Sequence, residues 1–167
     1  FDRITLNEAN ESAVLNIEPL DLPGRTLPEK PSANSVLIVH LLESPDDAYE
    51  VRWGSIEKVE LFEQMILDEA IRLSREGKLD EAYEHLSYML ETYPDWPGLD
   101  EGIQIYLFEE AKSLYKKGEY DTSLSVLRDL FKKNPQWPGL EMALGRSTEK
   151  MIEKYSELKN YSAARTI

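Results

Sequence analysis

The heptapeptide Tyr93-Pro-Asp-Trp-Pro-Gly-Leu99 returns as Asn134-Pro-Gln-Trp-Pro-Gly-Leu140, 41 residues further on. Its flanks repeat at the same offset: Ala70 answers Ala111, Leu73 answers Leu114, Gly77 answers Gly118 and Leu86 answers Leu127. A fixed period of this length is the mark of stacked helical pairs, because each pair needs its neighbour to bury its apolar face. The chain is therefore expected to be mostly α, an α-α superhelix of two full repeats and a partial third. An extended surface for another protein is the leading expectation.

The stripes agree with the period. Val59, Phe62, Ile66, Ala70 and Leu73 step by three or four, as one helix face does, behind Ser55 as N-cap. Leu79, Ala82, Leu86, Met89 and Tyr93 form a second stripe, closed by Pro94. Leu99, Ile103, Leu107, Ala111 and Leu114 form a third, and Tyr120, Leu124, Leu127 and Phe131 a fourth. Gly77 and Gly118, each after a basic helix end, are predicted to take positive φ. Trp96 and Trp137 are predicted to be largely buried plugs between neighbouring units. A third unit starts at Leu140, and its second helix is reduced to a stub near Asn160-Tyr-Ser162, so self-association through the open C-terminal repeat, residues 141–167, or fraying of that segment, is expected.

Ahead of the repeats, residues 1–34 read as an extended, proline-containing segment in which Ala13-Val-Leu-Asn-Ile17 is the one short strand. Residues 35–54 predict a β-hairpin: Val36–Leu42, a turn at Ser44-Pro-Asp-Asp47, and Tyr49–Trp53. A lone hairpin is barely stable in water, so it must pack on the first helix or on the strand near residue 15. Residues 55–167 make the helical array.

That array resembles the tetratricopeptide repeat family. The small residue of its first helix is Ala70, then Ala111. The glycine between helices is Gly77, then Gly118. The small residue of the second helix is Ala82, Ser123 and Ala164, and the closing proline is Pro94, then Pro135. The period departs from the family's 34 by the Trp-Pro-Gly-Leu junctions, and Ile66 and Leu107 stand where the family places tryptophan. The resemblance implies a protein–protein interaction module whose first helices line a concave groove. By it the groove residues are Gln64, Leu67, Ile71, Ser74 and Arg75 from the first unit, and Ile105, Phe108, Lys112, Tyr115 and Lys116 from the second. The apolar members either face the groove or are core covered by the hairpin. Arg75, Lys112 and Lys116 would gather cations suited to a carboxylate or an acidic peptide; they are equally placed to balance the C-terminal ends of their helices.

A second resemblance concerns the front. Pro23-Gly-Arg-Thr-Leu-Pro-Glu-Lys30, Tyr49-Glu-Val-Arg-Trp53 and Ile56–Met65 are similar to the region ahead of the solute-binding module in large bacterial peptide-transport binding proteins. This implies an extracytoplasmic or periplasmic location, with a cytoplasmic one as the alternative. It also implies an alternative function, the accessory N-terminal domain of an ABC-type dipeptide- or oligopeptide-binding protein. The start at Phe1, without an initiator methionine, fits removal of a leader or a piece of a longer protein.

Little else carries chemistry. The net charge is −13, a field that repels phosphate backbones and anionic headgroups, so neither nucleic acid nor membrane insertion is expected. There is no cysteine, which excludes disulfides and thiolate metal sites. His40 and His85 lie outside any metal or catalytic motif. The carboxylate clusters Glu63/Asp68/Glu69 and Glu109/Glu110 read as solvated helix faces beside Arg72 and Lys112. Neither an enzyme nor a cofactor is expected.

Overall fold

A computed structural model describes residues 1–157. It divides into two compact units, residues 1–66 and 67–167, with the boundary inside the first helix.

The first unit overturns the expectation of a mostly α chain with a small hairpin. It holds five strands: β1 (Asp2–Leu6), β2 (Val14–Ile17), β3 (Val36–Leu41), β4 (Ser44–Arg52) and β5 (Ile56–Glu60). They form one antiparallel sheet in the order β4-β3-β2-β1-β5. The segment expected to be extended thus supplies two strands, and the hairpin is only one edge of the sheet. Residues 56–60, expected as the start of a helix, are β5 instead: Val59 stands opposite Ile4 and Ile56 opposite Leu6. A ladder partner more than fifty residues away overrides the local helical spacing. The hairpin turn also falls earlier than expected, at residues 42–43, and Pro45, Asp46 and Asp47 lie within β4. As an edge strand, β4 can hold a proline and two carboxylates that would be unfavourable in a central one.

β4 and β5 stand at opposite edges, yet only the single turn Trp53–Ser55 joins them. Four strand spacings amount to about 19 Å, whereas four residue steps reach at most about 14 Å. The sheet must therefore curl. The turn is tied to both flanks, since Trp53 N donates to Ser35 O at 3.0 Å and Asn7 N to Ser55 O at 2.9 Å. Alternation along the strands sends Ile4, Ile17 and Val39 inward, each no more than 1% exposed, and leaves Val14, Val36 and Ile38 outside.

The second unit is helical: most of α1 (Phe62–Glu76), then α2 (Leu79–Thr92), α3 (Leu99–Lys116), α4 (Tyr120–Lys133) and α5 (Leu140–Glu157). Buried residues recur at helical spacing on each, as Ala82, Leu86 and Met89 on α2 and Ser123, Leu127 and Leu130 on α4. Gly77 and Gly118 take φ of 78° and 80°. Glu119 N donates to Leu114 O and Gly118 N to Tyr115 O, the paired bonds of a left-handed helix stop.

The Trp-Pro-Gly-Leu junctions are copies in three dimensions. Trp96 N bonds Tyr93 O and Leu99 N bonds Trp96 O. Trp137 N bonds Asn134 O and Leu140 N bonds Trp137 O in the same way. Gly98 and Gly139 both have positive φ, and Leu99 and Leu140 are buried. The indoles are mostly, though not fully, covered. Trp137 packs against the cluster of Ala111, Leu127, Leu130 and Leu140. The expected helical stub after Asn160 lies outside the described residues.

Candidate functional site

Two polar assemblies stand out, one in each unit, and they differ in kind. In the first, the 3-10 turn Pro23–Arg25 carries Arg25 at φ 53°, a left-handed conformation that a non-glycine residue holds only when its surroundings compensate. The compensation is visible. Arg25 Nε donates to Glu63 Oε1 at 2.8 Å. Its Nη1 donates to Asp2 Oδ2 and Leu20 O at 2.8 Å each, and its Nη2 to Asp2 Oδ1 and Glu63 Oε2 at 2.7 Å each. All five guanidinium N–H groups are used. Asp2, fully buried, also accepts from Leu20 N and Phe62 N at 2.8 Å, so it caps the start of α1 across sixty residues. Burial alone would raise the Asp2 carboxyl, but the bonds from Arg25, Leu20 and Phe62 outweigh it and hold the group below its ordinary range. Glu63 is 3% exposed, not the solvated helix face expected of it. An assembly with every donor and most acceptors filled has nothing left to offer a ligand. Pro23-Gly-Arg25 is a structural knot.

The second assembly is open. Between α3 and α5, floored by α4, lies a cleft of about 420 Å³. On α3, Phe108, Ala111, Lys112, Tyr115 and Lys116 recur at three- and four-residue spacing and make one wall. Met142, Ala143, Arg146 and Ser147 of α5, with Gly139 in the turn just before it, make the other, and Ser123 and Leu127 of α4 lie beneath. The lining is chiefly apolar, with cations on both walls. Lys112 is held by Glu109 at 2.6 Å and lies 5.7 Å from the Phe108 ring centre. Among the described residues, Lys116 and Arg146 have no ion-pair partner, and both are exposed. The floor carries two buried hydroxyls: Ser123 Oγ donates to Ala111 O at 2.8 Å and lies 3.4 Å from Ser147 Oγ.

Of the residues singled out in the sequence, the cleft brings together Phe108, Lys112, Tyr115 and Lys116. The others do not join it. Leu67 and Ser74 are 1% and 0% exposed and Ile105 is 9% exposed, so they are core; Ser74 Oγ bonds back to Ala70 O at 2.8 Å. Ile71 is half-buried beside Gly102. Arg75 is exposed and outside the cleft, and Gln64 belongs to the first unit. The cleft residues of α5 are the ones the sequence reading missed. The 41-residue offset was the available signal, because it carries Ile105 onto Arg146.

Elsewhere in the second unit, burial raises the Glu110 carboxyl against a hydrogen bond from Tyr106, and burial, then the charge of Glu110, pushes Tyr106 up to about 12. Neither residue lines the cleft. No helix among the described residues is long and apolar enough to cross a membrane. No family model, curated protein or solved structure matches this chain.

Proposed function

We propose that the helical unit is a peptide-binding module that takes an acidic, apolar-containing segment of a partner protein in the cleft between α3 and α5. The observation that carries this reading is the gathering of Lys112, Lys116 and Arg146 around an apolar hollow in a chain of net charge −13. On a surface that is acidic overall, a cationic cluster around an apolar hollow favours ligands of negative charge at that place. The hollow is of the size that small ligands and side-chain anchors occupy. The resemblance of the repeats to tetratricopeptide units points the same way.

The test is a titration of the full chain with a fluorescein-labelled hexapeptide of alternating Glu and Leu, against the same peptide with Lys for Glu. The Glu peptide is expected to bind, with affinity falling as salt rises, and the Lys peptide is not. The double variant Lys112→Glu, Lys116→Glu should weaken the Glu peptide by about tenfold or more, the equivalent of roughly 1.4 kcal/mol. Equal binding of both peptides, or no effect of the double variant, would remove the cleft from consideration.

A further inference from the structure

Because the repeats are superimposable in sequence, each cleft residue has a counterpart at the preceding helix junction. Phe108, Lys112, Tyr115 and Lys116 correspond to Leu67, Ile71, Ser74 and Arg75; Ala143 and Arg146 correspond to Gly102 and Ile105. The two junctions nevertheless behave differently. At the earlier one, a Cβ placed on Gly102 would lie 2.8 Å from Leu67 Cδ1 and 3.6 Å from Ile71 Cγ1, so these side chains already occupy the room a larger residue would need. Leu67, Ser74 and Ile105 are at most 9% exposed there. At the later junction Ala143 replaces the glycine, lysine replaces Ile71, and Arg146 replaces Ile105. Lys112 and Arg146 are exposed, and Met142 is 61% exposed.

From this asymmetry we infer that Arg146 is the specificity-determining residue of the cleft. Divergence between the repeats has left one junction packed and opened the other as a site for a carboxylate flanked by apolar side chains. The inference rests on the peptide-binding reading above and adds which junction works and why. Three chemical facts support Arg146 in this role. Its guanidinium has no ion-pair partner among the described residues, unlike Lys112, whose charge is shared with Glu109. It faces Lys112 and Lys116 from the opposite wall, so a carboxylate between the walls meets cations from both sides. Its planar fork can also hold a carboxylate by two parallel bonds, which an ammonium cannot.

The experiment uses the full chain and the Glu–Leu hexapeptide, read by calorimetry for affinity and stoichiometry. One peptide per chain is expected. Arg146→Ile, which copies the residue of the packed junction, should weaken binding by about five- to tenfold and lower its salt dependence. Arg146→Lys should recover part of the affinity, because the charge returns without the fork. Since Arg146 is exposed, the urea midpoint should stay unchanged in both variants. Failure of the parent chain to bind the peptide overturns this inference together with the peptide-binding reading. Binding by the parent chain that Arg146→Ile leaves untouched, or two peptides per chain, overturns the inference alone.

Discussion

Arg25 illustrates how one residue can hold a small unit together. Three separate segments converge on it: the first strand through Asp2, the loop at Leu20, and the first turn of α1 through Glu63. Removing one partner of such a buried group leaves the rest charged and unpaired, which typically costs about 3–5 kcal/mol. Asp2→Asn is therefore expected to lower the unfolding free energy by about 3 kcal/mol, read as a shift in urea midpoint. The same residue predicts a pH dependence. Its folded-state pKa is depressed below the ordinary aspartate value of 3.8. Its contribution is thus fully present above that value and is lost as pH falls through the lower, folded one. In Asp2→Asn the acid limb of the stability profile should be correspondingly shallower. An unchanged acid limb would mean that other carboxylates dominate it. At Gly118 the constraint is backbone alone. With φ at 80° and nothing within 4 Å of the place a Cβ would take, Gly118→Val should cost about 1–2 kcal/mol through left-handed strain, whereas Gly118→Asn should cost less. Equal costs would point to a contact rather than to φ.

At the scale of elements, two helical glycines make a controlled comparison. Gly102 sits on α3 where an added Cβ would fall within 2.8 Å of Leu67, whereas Gly145 on α5 has nothing within 4 Å. Helix propensity favours alanine over glycine by about 1 kcal/mol at either place. Gly145→Ala should therefore stabilise the chain by about 0.5–1 kcal/mol. Gly102→Ala should be neutral or destabilising by about 1–2 kcal/mol, because Leu67 is buried and has little room to give. Thermal unfolding of the two variants checks this, and stabilisation of both by the same amount would show that Leu67 moves aside freely. The junction tryptophans belong to the same scale. Their turns repeat bond for bond, yet the Trp137 ring packs tilted against Phe108 at the cleft wall, 6.3 Å between centres, while that of Trp96 packs edge-on against Tyr93 at 6.4 Å. Identical local turns thus serve different neighbours, because Phe108 stands where the first repeat has Leu67.

At the scale of the whole chain, the readable features are those set by near neighbours in sequence and the hidden ones those set by distant segments. The helices, the glycine stops and the Trp-Pro-Gly-Leu turns were legible because each depends on residues within about one turn of itself: Gly118 bonds to Tyr115, Leu140 to Trp137. The 41-residue offset added which helices are equivalent, and it was the resemblance to tetratricopeptide repeats that implied Phe108, Lys112, Tyr115 and Lys116 as groove residues. Of the sheet, only the β3–β4 hairpin and the short strand β2 were legible; β1, β5 and the joining of all five strands were not. β1 and β5 acquire their identity from each other, Leu6 opposite Ile56, and Asp2 serves as helix cap to Phe62; no local pattern announces a partner so far along the chain. Exposure was hidden for a related reason. Leu67 and Phe108 occupy the same position in the repeat, and only the packing around Gly102 and Ala143 makes one of them core and the other the wall of a cleft. Short-range hydrogen bonds and helical periodicity are written residue by residue, whereas strand pairing and free volume are properties of segments that meet only once the chain has folded.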